Sequence, residues 1–324
     1  MSIVIEIVLP VFGIALMGYL ATRLGWFSET AEKGVNEFIF SFAAPLMLFN
    51  ILSQVDLPEH PPLAYFASFY GPLFITAFLA FLASRYIFGR NYTVQVISGF
   101  TASFGNTILL GLPLLLLAFG DEKILPFYIL LSIHGLTLFT LVTILLEIGK
   151  GRENLSVNEG EQSLSQGNSS LGKTILTALI KNPILIAIIT GMICNLGGIT
   201  LPTSLITLTG LMKGAVVPAA LFALGSSLTR YGIRGRVFEA LSIVFLKIIL
   251  FPFLVFLSGT YIFDIDPFWV IIAVITAAQP PGVMSYMFAS RYKVGEAVVS
   301  TSIFLSAILS MVTLTIILYL FEYQ

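Results

Sequence analysis

Two short runs decide the fold: Gly-Asn-Thr-Ile-Leu-Leu-Gly-Leu-Pro at 105–113 and Gln-Pro-Pro-Gly at 279–282. Each run lies inside an apolar stretch that otherwise has the length of a helix. Proline removes a backbone donor and clashes with the preceding turn, while glycine and asparagine tolerate non-helical dihedral angles. We therefore expect both helices to break here, with the breaks formed by Gly105, Gly111, Pro113, Pro280, Pro281 and Gly282.

The surrounding sequence has the composition of an integral membrane protein. Hydrophobic residues make up 57% of the 324 residues, charged residues only 10%, and the mean hydropathy is +0.98. A soluble domain carries about 25% charged residues, so the apolar surface of this chain must face a lipid bilayer. The first residues carry no basic segment and no small-residue cleavage pattern, so we interpret them as a first span and not as a cleaved signal.

The same composition excludes several classes of function. Net charge is −1 with no basic block, which argues against a nucleic-acid partner. One cysteine, Cys194, excludes an internal disulfide and a cysteine-based metal cluster. Two histidines are too few for most metal sites, and the motifs of nucleotide loops and catalytic triads are missing from the sequence. We expect no metal, no cofactor and no enzymatic activity.

Ten stretches approach the roughly 20 apolar residues that cross ~30 Å of hydrocarbon. They are 3–22, 35–54, 63–86, 94–119, 124–147, 174–196, 202–228, 237–262, 267–289 and 296–321. The long polar interruption between the fifth and sixth stretches predicts a linker. The expected organisation is a first five-helix repeat at 1–147, a cytoplasmic linker at 148–173 and a second five-helix repeat at 174–324.

Basic residues predict the orientation of the spans. Loops that follow odd-numbered spans hold thirteen Lys and Arg residues, whereas the opposite side holds Lys123 among acidic residues. Because basic loops stay in the cytoplasm, we expect a multi-pass protein of the cell (inner) membrane with both termini outside and the linker cytoplasmic.

An odd number of spans in each half forces two related halves into opposite orientations. Pro45 and Pro218 lie in corresponding spans, and Asn106 and Gln279 follow them at equal distances. The sequence thus predicts an all-α fold of ten transmembrane helices in two inverted repeats, with broken helices 4 and 9 that cross. Paired interrupted spans indicate a transporter's site near the middle of the bilayer.

The crossing predicts an anion site. We expect the second half-helices to begin near Leu112 or Pro113 and near Pro281, so that two positive helix N-termini meet. Asn106, Thr107 and Gln279 could add hydrogen bonds to a substrate without the cost of a buried charge. A proline kink without function is the alternative for either break alone.

Three polar residues elsewhere in the spans are further substrate-binding candidates. Lys213 could balance an anion, or pair with another group as a packing residue. His134 could relay a proton or bind substrate, or simply make an interhelical hydrogen bond. Asn50 could face the cavity between domains. Lys247 lies equally deep in its span.

Several motifs together resemble the auxin efflux carrier family, the PIN-type carriers and their bacterial relatives. The run from Asn106 to Leu115 resembles the family's crossover in span 4. Further matches occur in collinear order over nearly the whole chain: Gly34 to Phe38, Ala44-Pro45, Lys181 to Pro183, Lys247 with Pro252, Pro281 to Val283, Phe288 to Tyr292 and Ser300-Thr301.

This resemblance implies an elevator-type transporter. Helices 1, 2, 6 and 7 would form a scaffold domain, and helices 3–5 and 8–10 a moving transport domain. The family's crossover asparagine helps to hold a substrate carboxylate, which implies that role for Asn106. Homodimers are usual in the family, and its bacterial members are usually assigned malate, malonate or similar carboxylates.

The sequence also departs from the plant carriers. The linker is short, Gly105 stands where they have proline before the asparagine, and their span-9 glutamine aligns with Pro281 and not with Gln279. Span 3 carries no acidic residue, which argues against auxin itself.

The leading hypothesis is a secondary transporter of a small organic anion. A membrane sensor or receptor that binds the anion without moving it is the alternative from another class, and an open channel is a third. Uniport or weak proton linkage is expected, with His134 as the mid-membrane group that titrates near neutral pH.

Overall fold

The computed structural model describes residues 3–55, 62–157 and 183–322, and these form twelve helices without a β-sheet. In chain order they are α1 (Ile3–Arg23), α2 (Glu29–Leu52), α3 (Leu63–Tyr86), α4 (Tyr92–Ser103), α5 (Thr107–Phe119), α6 (Leu125–Val157), α7 (Pro183–Leu196), α8 (Thr203–Leu228), α9 (Val237–Ile262), α10 (Pro267–Ala277), α11 (Val283–Tyr292) and α12 (Glu296–Glu322).

Six of these described helices are long and apolar enough to cross a bilayer, namely α2, α3, α6, α8, α9 and α12. Shorter apolar helices occur in α1, α5, α7 and α10. The spans predicted at 94–119 and 267–289 each consist of two helices, α4 with α5 and α10 with α11. The all-helical membrane fold is therefore confirmed, while the ten-span inverted repeat stays a prediction.

The boundary predicted at residue 147 lies within a helix. Helix α6 continues past residue 147 to Val157, so the first part of the predicted segment 148–173 is helical. Its remainder lies outside the described residues, as do residues 174–182 of the predicted sixth span. Hydrogen bonding within a helix continues through glycine and charged residues where no proline intervenes, and the sequence has none between Pro126 and Pro183.

Three prolines inside the spans are preceded by π-helical turns. Three such turns, Ile39–Ala43, Thr107–Gly111 and Leu246–Leu250, are followed two residues later by Pro45, Pro113 and Pro252. A proline cannot donate and its ring crowds the carbonyl four residues earlier. The extra residue of a π turn relieves that crowding, so these helices continue through their prolines.

The four helices predicted as the scaffold pack as pairs. Helix α1 packs along α8, α2 packs along α7, and α2 also contacts α8. The α1–α8 contact is unusually close because glycines face backbone on both sides: Gly18 lies against the carbonyl of Phe222, and Gly225 lies against that of Ala15. Thr22 and Ser226 add a hydroxyl–hydroxyl hydrogen bond of 2.7 Å.

This contact predicts that Gly225→Ala will destabilise the fold. A Cβ at Gly225 would lie 1.6 Å from the Ala15 carbonyl oxygen, so the two backbones must separate. Overpacking of this kind costs about 1–3 kcal/mol, and the thermal unfolding midpoint of the purified protein should fall.

Gly214→Ala is the matched control on the same helix, because a Cβ there meets no heavy atom within 4 Å. Its unfolding midpoint should stay unchanged or rise slightly, since alanine favours the helix. Equal midpoints for the two variants would contradict the close α1–α8 packing.

Candidate functional site

The two helix breaks meet and are hydrogen-bonded to each other. Gly105 and Pro281 form an isolated antiparallel bridge. The Asn106 N–H donates to the Pro280 carbonyl at 2.8 Å, and the Gly282 N–H donates to the Phe104 carbonyl at 3.0 Å. The chain therefore runs in opposite directions through the two breaks.

Proline and glycine explain why the helices stop at this crossing. Pro280 and Pro281 have no N–H to continue α10, and Phe104 at the end of α4 is extended, with φ −84° and ψ 116°. A Cβ on Gly282 would lie 2.5 Å from the Phe104 ring and 3.0 Å from the Gly105 carbonyl oxygen. Glycine is required at 282 for this close approach, even though its φ of −71° suits any residue.

Two helix N-termini are thus brought together at the crossing. Helix α5 begins after Asn106 and α11 begins after Gly282, and neither N-cap residue supplies a side-chain hydrogen bond. The first N–H groups of a helix have no acceptor within it, so Thr107, Ile108, Val283 and Met284 present free donors. Each end also carries roughly half a positive charge.

The amide side chains of Gln279 and Asn106 at the crossing differ in their hydrogen bonding. Gln279 is fully buried, donates from Nε2 to the Ile275 carbonyl at 3.1 Å, and leaves Oε1 without a hydrogen-bond partner among the described residues. Asn106 and Thr107 are 7% and 5% exposed. Because the Asn106 side chain does not cap α5, its amide is free to bind a ligand.

Helix α5 starts with the π turn Thr107–Gly111, and its regular α-helical part begins at Leu112, as the sequence predicts. Gly111 and Pro113 therefore lie where the π turn passes into the α-helix. The π turn extends the helix towards the break, because it lets the helix pass through Pro113. Helix α11 begins at Val283, shortly after Pro281.

Gly111 nevertheless borders the crossing, with the Gln279 side chain 3.6 Å from the position of a Cβ. The antiparallel bridge has a local two-fold symmetry that exchanges Gly105 with Pro281, and the same symmetry exchanges Asn106 with Gly282. The equal spacing that paired Asn106 with Gln279 does not describe this local symmetry.

His134 lies beside the crossing as part of an aromatic cluster. Its ring stacks on Phe104 with centroids 5.3 Å apart and 16° between planes, and it contacts Phe69 and Tyr70. Neither ring nitrogen has a hydrogen-bond partner among the described residues. The imidazole therefore packs as an aromatic ring and is placed poorly for a proton relay.

Asn50 and Lys213 are held away from the crossing. Asn50 donates to the Ile206 carbonyl at 3.1 Å and to the Thr209 hydroxyl at 2.6 Å, which joins α2 to α8. Lys213 forms an ion pair with Asp121 in the loop after α5, and its hydrogen bond lowers the pKa of the Asp121 carboxyl. The thirteen residues of α5 separate that loop from the break by roughly 20 Å.

Two buried polar groups at the crossing were not among the predicted site residues. Lys247 of α9 is fully buried and donates to the Ala277 carbonyl at the end of α10, at 2.6 Å. Ser285 in the first turn of α11 is fully buried, and its hydroxyl has no partner among the described residues. The sequence feature that could have indicated Lys247 is its position deep in an apolar span. Lys213 has the same feature, so it does not distinguish the two lysines.

Comparison with known proteins agrees with this architecture. The model of the membrane transport protein family matches residues 3–318, so the chain belongs to that family, the auxin efflux carrier family. The predicted resemblance is confirmed. The family consists of membrane transporters and not of enzymes.

Individual relatives are distant but match along almost their full length. A protein named "Putative malonate transporter" from Rhizobium meliloti (strain 1021) is 25% identical over 320 residues, which cover 99% of this chain and 96% of the relative. Auxin efflux carrier component 8 of Arabidopsis thaliana is 24% identical, with 96% and 95% covered. An uncharacterized transporter from Methanothermobacter thermautotrophicus is 27% identical, with 95% of each chain covered.

The aromatic environment of His134 predicts that His134→Phe will keep its function. Phenylalanine preserves the stacking on Phe104, and no hydrogen bond is lost within the described structure. Substrate uptake and its response to a pH gradient, measured in proteoliposomes, should stay within about twofold, the effect of roughly 0.5 kcal/mol.

His134→Asp is the contrasting variant, because it places a carboxylate among the rings of Phe69, Tyr70 and Phe104 and should lower the amount of folded protein. Loss of the pH-gradient response in folded His134→Phe would show that the imidazole carries a proton.

Proposed function

We propose that the protein is a secondary transporter of a small organic anion, bound where the two broken helices cross. The expected substrates are carboxylates such as malate or malonate, or an auxin-like monocarboxylate. The observation that carries the proposal is the pair of helix N-termini joined by the bridge between Gly105 and Pro281.

The charges near the crossing support an anion. Two helix ends contribute about +0.5 charge each, and Lys247 adds a basic side chain. None of the acidic residues in the part of the chain that the structure describes lies in α4, α5, α10, α11 or the two breaks; they are at 6, 29, 32, 37, 121, 122, 147, 153, 239, 264, 266, 296 and 322. A carboxylate at the crossing would therefore meet N–H donors and positive potential without an opposing carboxylate.

Specific donors would orient the substrate. The Asn106 amide and the Thr107 hydroxyl lie at the start of α5, and the Ser285 hydroxyl lies in the first turn of α11. Free N–H groups of both first turns supply the remaining hydrogen bonds. A carboxylate offers about four lone-pair sites, which a shared pair of helix ends can satisfy.

An elevator-type mechanism fits this geometry. In the proposal, two inverted five-helix repeats supply a scaffold of α1, α2, α7 and α8 and a transport domain of α3–α6 and α9–α12. The antiparallel direction of the two breaks and the close packing of α1 with α8 support it. The transport domain would carry the crossing from one side of the membrane to the other as a rigid body.

The membrane arrangement is proposed from the basic residues and from the family. Both termini lie outside the cell (inner) membrane and the central linker is cytoplasmic, as the positive-inside rule requires. A homodimer formed through the scaffold is the expected assembly.

Asn106→Ala should strongly reduce saturable uptake by the purified protein in proteoliposomes. Labelled malonate, malate and an indole-type monocarboxylate would be offered with and without a pH gradient. Loss of a charge-assisted hydrogen bond costs about 1.5–3 kcal/mol, so uptake should fall by about tenfold or more.

Asn50→Ala is the matched control, since it removes an asparagine amide that bonds to α8 and not to a ligand. Its uptake per folded molecule should equal that of the wild type. Equal uptake by Asn106→Ala and the wild type would contradict the site. Tight binding without uptake would instead favour the sensor or receptor.

A further inference from the structure

An apolar groove runs along α4 at the outer surface of the helical fold. Helices α3 and α6 both pack on α4, and the groove lies between them with α4 as its floor. Its volume is about 340 Å³. Phe74 and Phe78 of α3 and Leu141 of α6 line it and are 42%, 59% and 37% exposed. The groove is therefore open to the surroundings of these helices and is not a closed cavity.

The lining of the groove is almost entirely apolar. Its polar side chains are Tyr92 and Ser103, at the two ends of α4. The Ser103 hydroxyl donates to the carbonyls of Gly99 and Phe100, at 3.0 and 3.2 Å, so its proton is already used. A site for a polar solute needs well-placed polar groups, whereas this lining offers hydrocarbon and aromatic surface. The groove therefore suits an apolar chain.

The length of the groove matches one leaflet of a bilayer. It follows α4 from Tyr92 to Ser103, a rise of roughly 16 Å. The hydrocarbon core is ~30 Å thick, so one leaflet supplies about half of that length. Helix α4 begins after the α3–α4 loop and ends at the break, beside the proposed middle of the bilayer. An acyl chain that enters from the membrane surface would thus reach the inner end of the groove.

Small residues give the groove its depth. Ala77 of α3 and Gly99 of α4 both line it. A Cβ at Gly99 would lie 2.8 Å from the Ala77 carbonyl oxygen, so the two helix backbones approach closely here. Without larger side chains at these positions, space remains above the contact. Unfilled space of this kind lacks the dispersion contacts that an acyl chain would supply.

A basic side chain lies at the surface end of the groove. Phe74, Phe78, Phe81 and Arg85 are spaced four, three and four positions apart along α3. Positions at these intervals share one face of a helix. Arg85 is exposed in the last turn of α3, with its guanidinium carbon 5.2 Å from the centre of the Tyr86 ring.

The charge of Arg85 is available to a ligand. Ion pairs in the part of the chain that the structure describes involve Arg90, Lys213, Arg230 and Arg236, and none includes Arg85. Arginine matches a phosphate group with two parallel N–H donors. A phosphate at the mouth of the groove would therefore find a cation on the same helix face as the aromatic rings that line the groove.

We propose that the groove binds an acyl chain of one anionic phospholipid, whose phosphate contacts Arg85. The proposed orientation places this end of α3 on the cytoplasmic side, where the leaflet carries negative charge that attracts basic residues. Tyr86 lies at the same level, as aromatic residues commonly do at membrane interfaces. This lipid site is separate from the crossing, and it does not depend on the proposed substrate.

The first test is lipid titration of the delipidated, purified protein, followed by native mass spectrometry. The first molecule of dioleoyl phosphatidylglycerol should bind about fivefold more tightly than dioleoyl phosphatidylcholine, the effect of one arginine near the surface. Arg85→Gln should bind both lipids equally. Arg23→Gln, which removes an exposed arginine at the end of α1, is the matched control and should keep the preference. An unchanged preference in Arg85→Gln would overturn the proposal.

The second test fills the groove. Ala77→Phe should weaken binding of the first molecule of either lipid by about tenfold or more, because two or more methylene groups lose their burial. Ile75→Phe is the control on the same helix, since Ile75 is 52% exposed and lies outside the groove. Equal lipid binding by the two folded variants would contradict the groove as the site.

Photo-crosslinking of the wild type locates the lipid without any variant. A phosphatidylglycerol with a diazirine at the end of one acyl chain would be bound at one molecule per protein and illuminated. Peptides that contain Leu73, Ser103 and Leu138, at the inner end of the groove, should carry the label. Label spread over the exposed faces of α7 and α12 would show only lipid of the general membrane boundary and would overturn the proposal.

Discussion

The fold depends on two backbone hydrogen bonds, from Asn106 to Pro280 and from Gly282 to Phe104. Interrupting a helix within a membrane leaves N–H and carbonyl groups that lipid cannot satisfy. Each break here satisfies part of the other, so the two interruptions are stable only together. This mutual dependence fixes α4, α5, α10 and α11 around one point and brings two helix N-termini to the same place.

Two side chains satisfy further backbone groups at the break, one from α9 and one from the break itself. Lys247 and Gln279 cap the carbonyl end of α10, while the N–H groups at the starts of α5 and α11 stay free of side-chain caps. The carbonyl ends are therefore filled by protein groups, and the N–H ends are left for a ligand. That asymmetry supports the proposal of an anionic substrate.

Ionic contacts elsewhere have a different role. Arg90 donates to both carboxylate oxygens of Glu239 at 3.0 Å, which joins the loop before α4 to the start of α9. Arg230 pairs with the buried Glu32 at 2.6 Å and joins the end of α8 to α2. Both pairs lie at helix ends, where part of the charge remains hydrated and the cost of burial is reduced.

Much of this architecture could be predicted from the sequence, because proline and glycine act locally. The breaks at Gly105 and at Pro280–Gly282 follow from residue type alone. The π turn at Thr107–Gly111, which precedes the predicted start of the α-helix at Leu112, does not follow from residue type, because it depends on packing. Hydropathy also missed the continuation of α6 to Val157.

The roles of the polar residues were harder to predict. Lys213 and Lys247 both lie deep in apolar spans, yet one reaches a loop carboxylate and the other reaches the crossing. Side-chain direction around a helix decides this, and span boundaries alone do not give it. Asn50 and His134 were likewise assigned to the site by depth, whereas the structure places them in an α2–α8 contact and an aromatic cluster.

Amide hydrogen exchange with and without malonate tests the central claim most directly, because the claim is that one ligand binds two helix ends. In the intact protein, peptides covering residues 105–112 and 280–287 should both exchange more slowly when malonate is bound. Protection of only one segment, or protection confined to residues near Asn50 and Lys213, would contradict a shared site at the crossing.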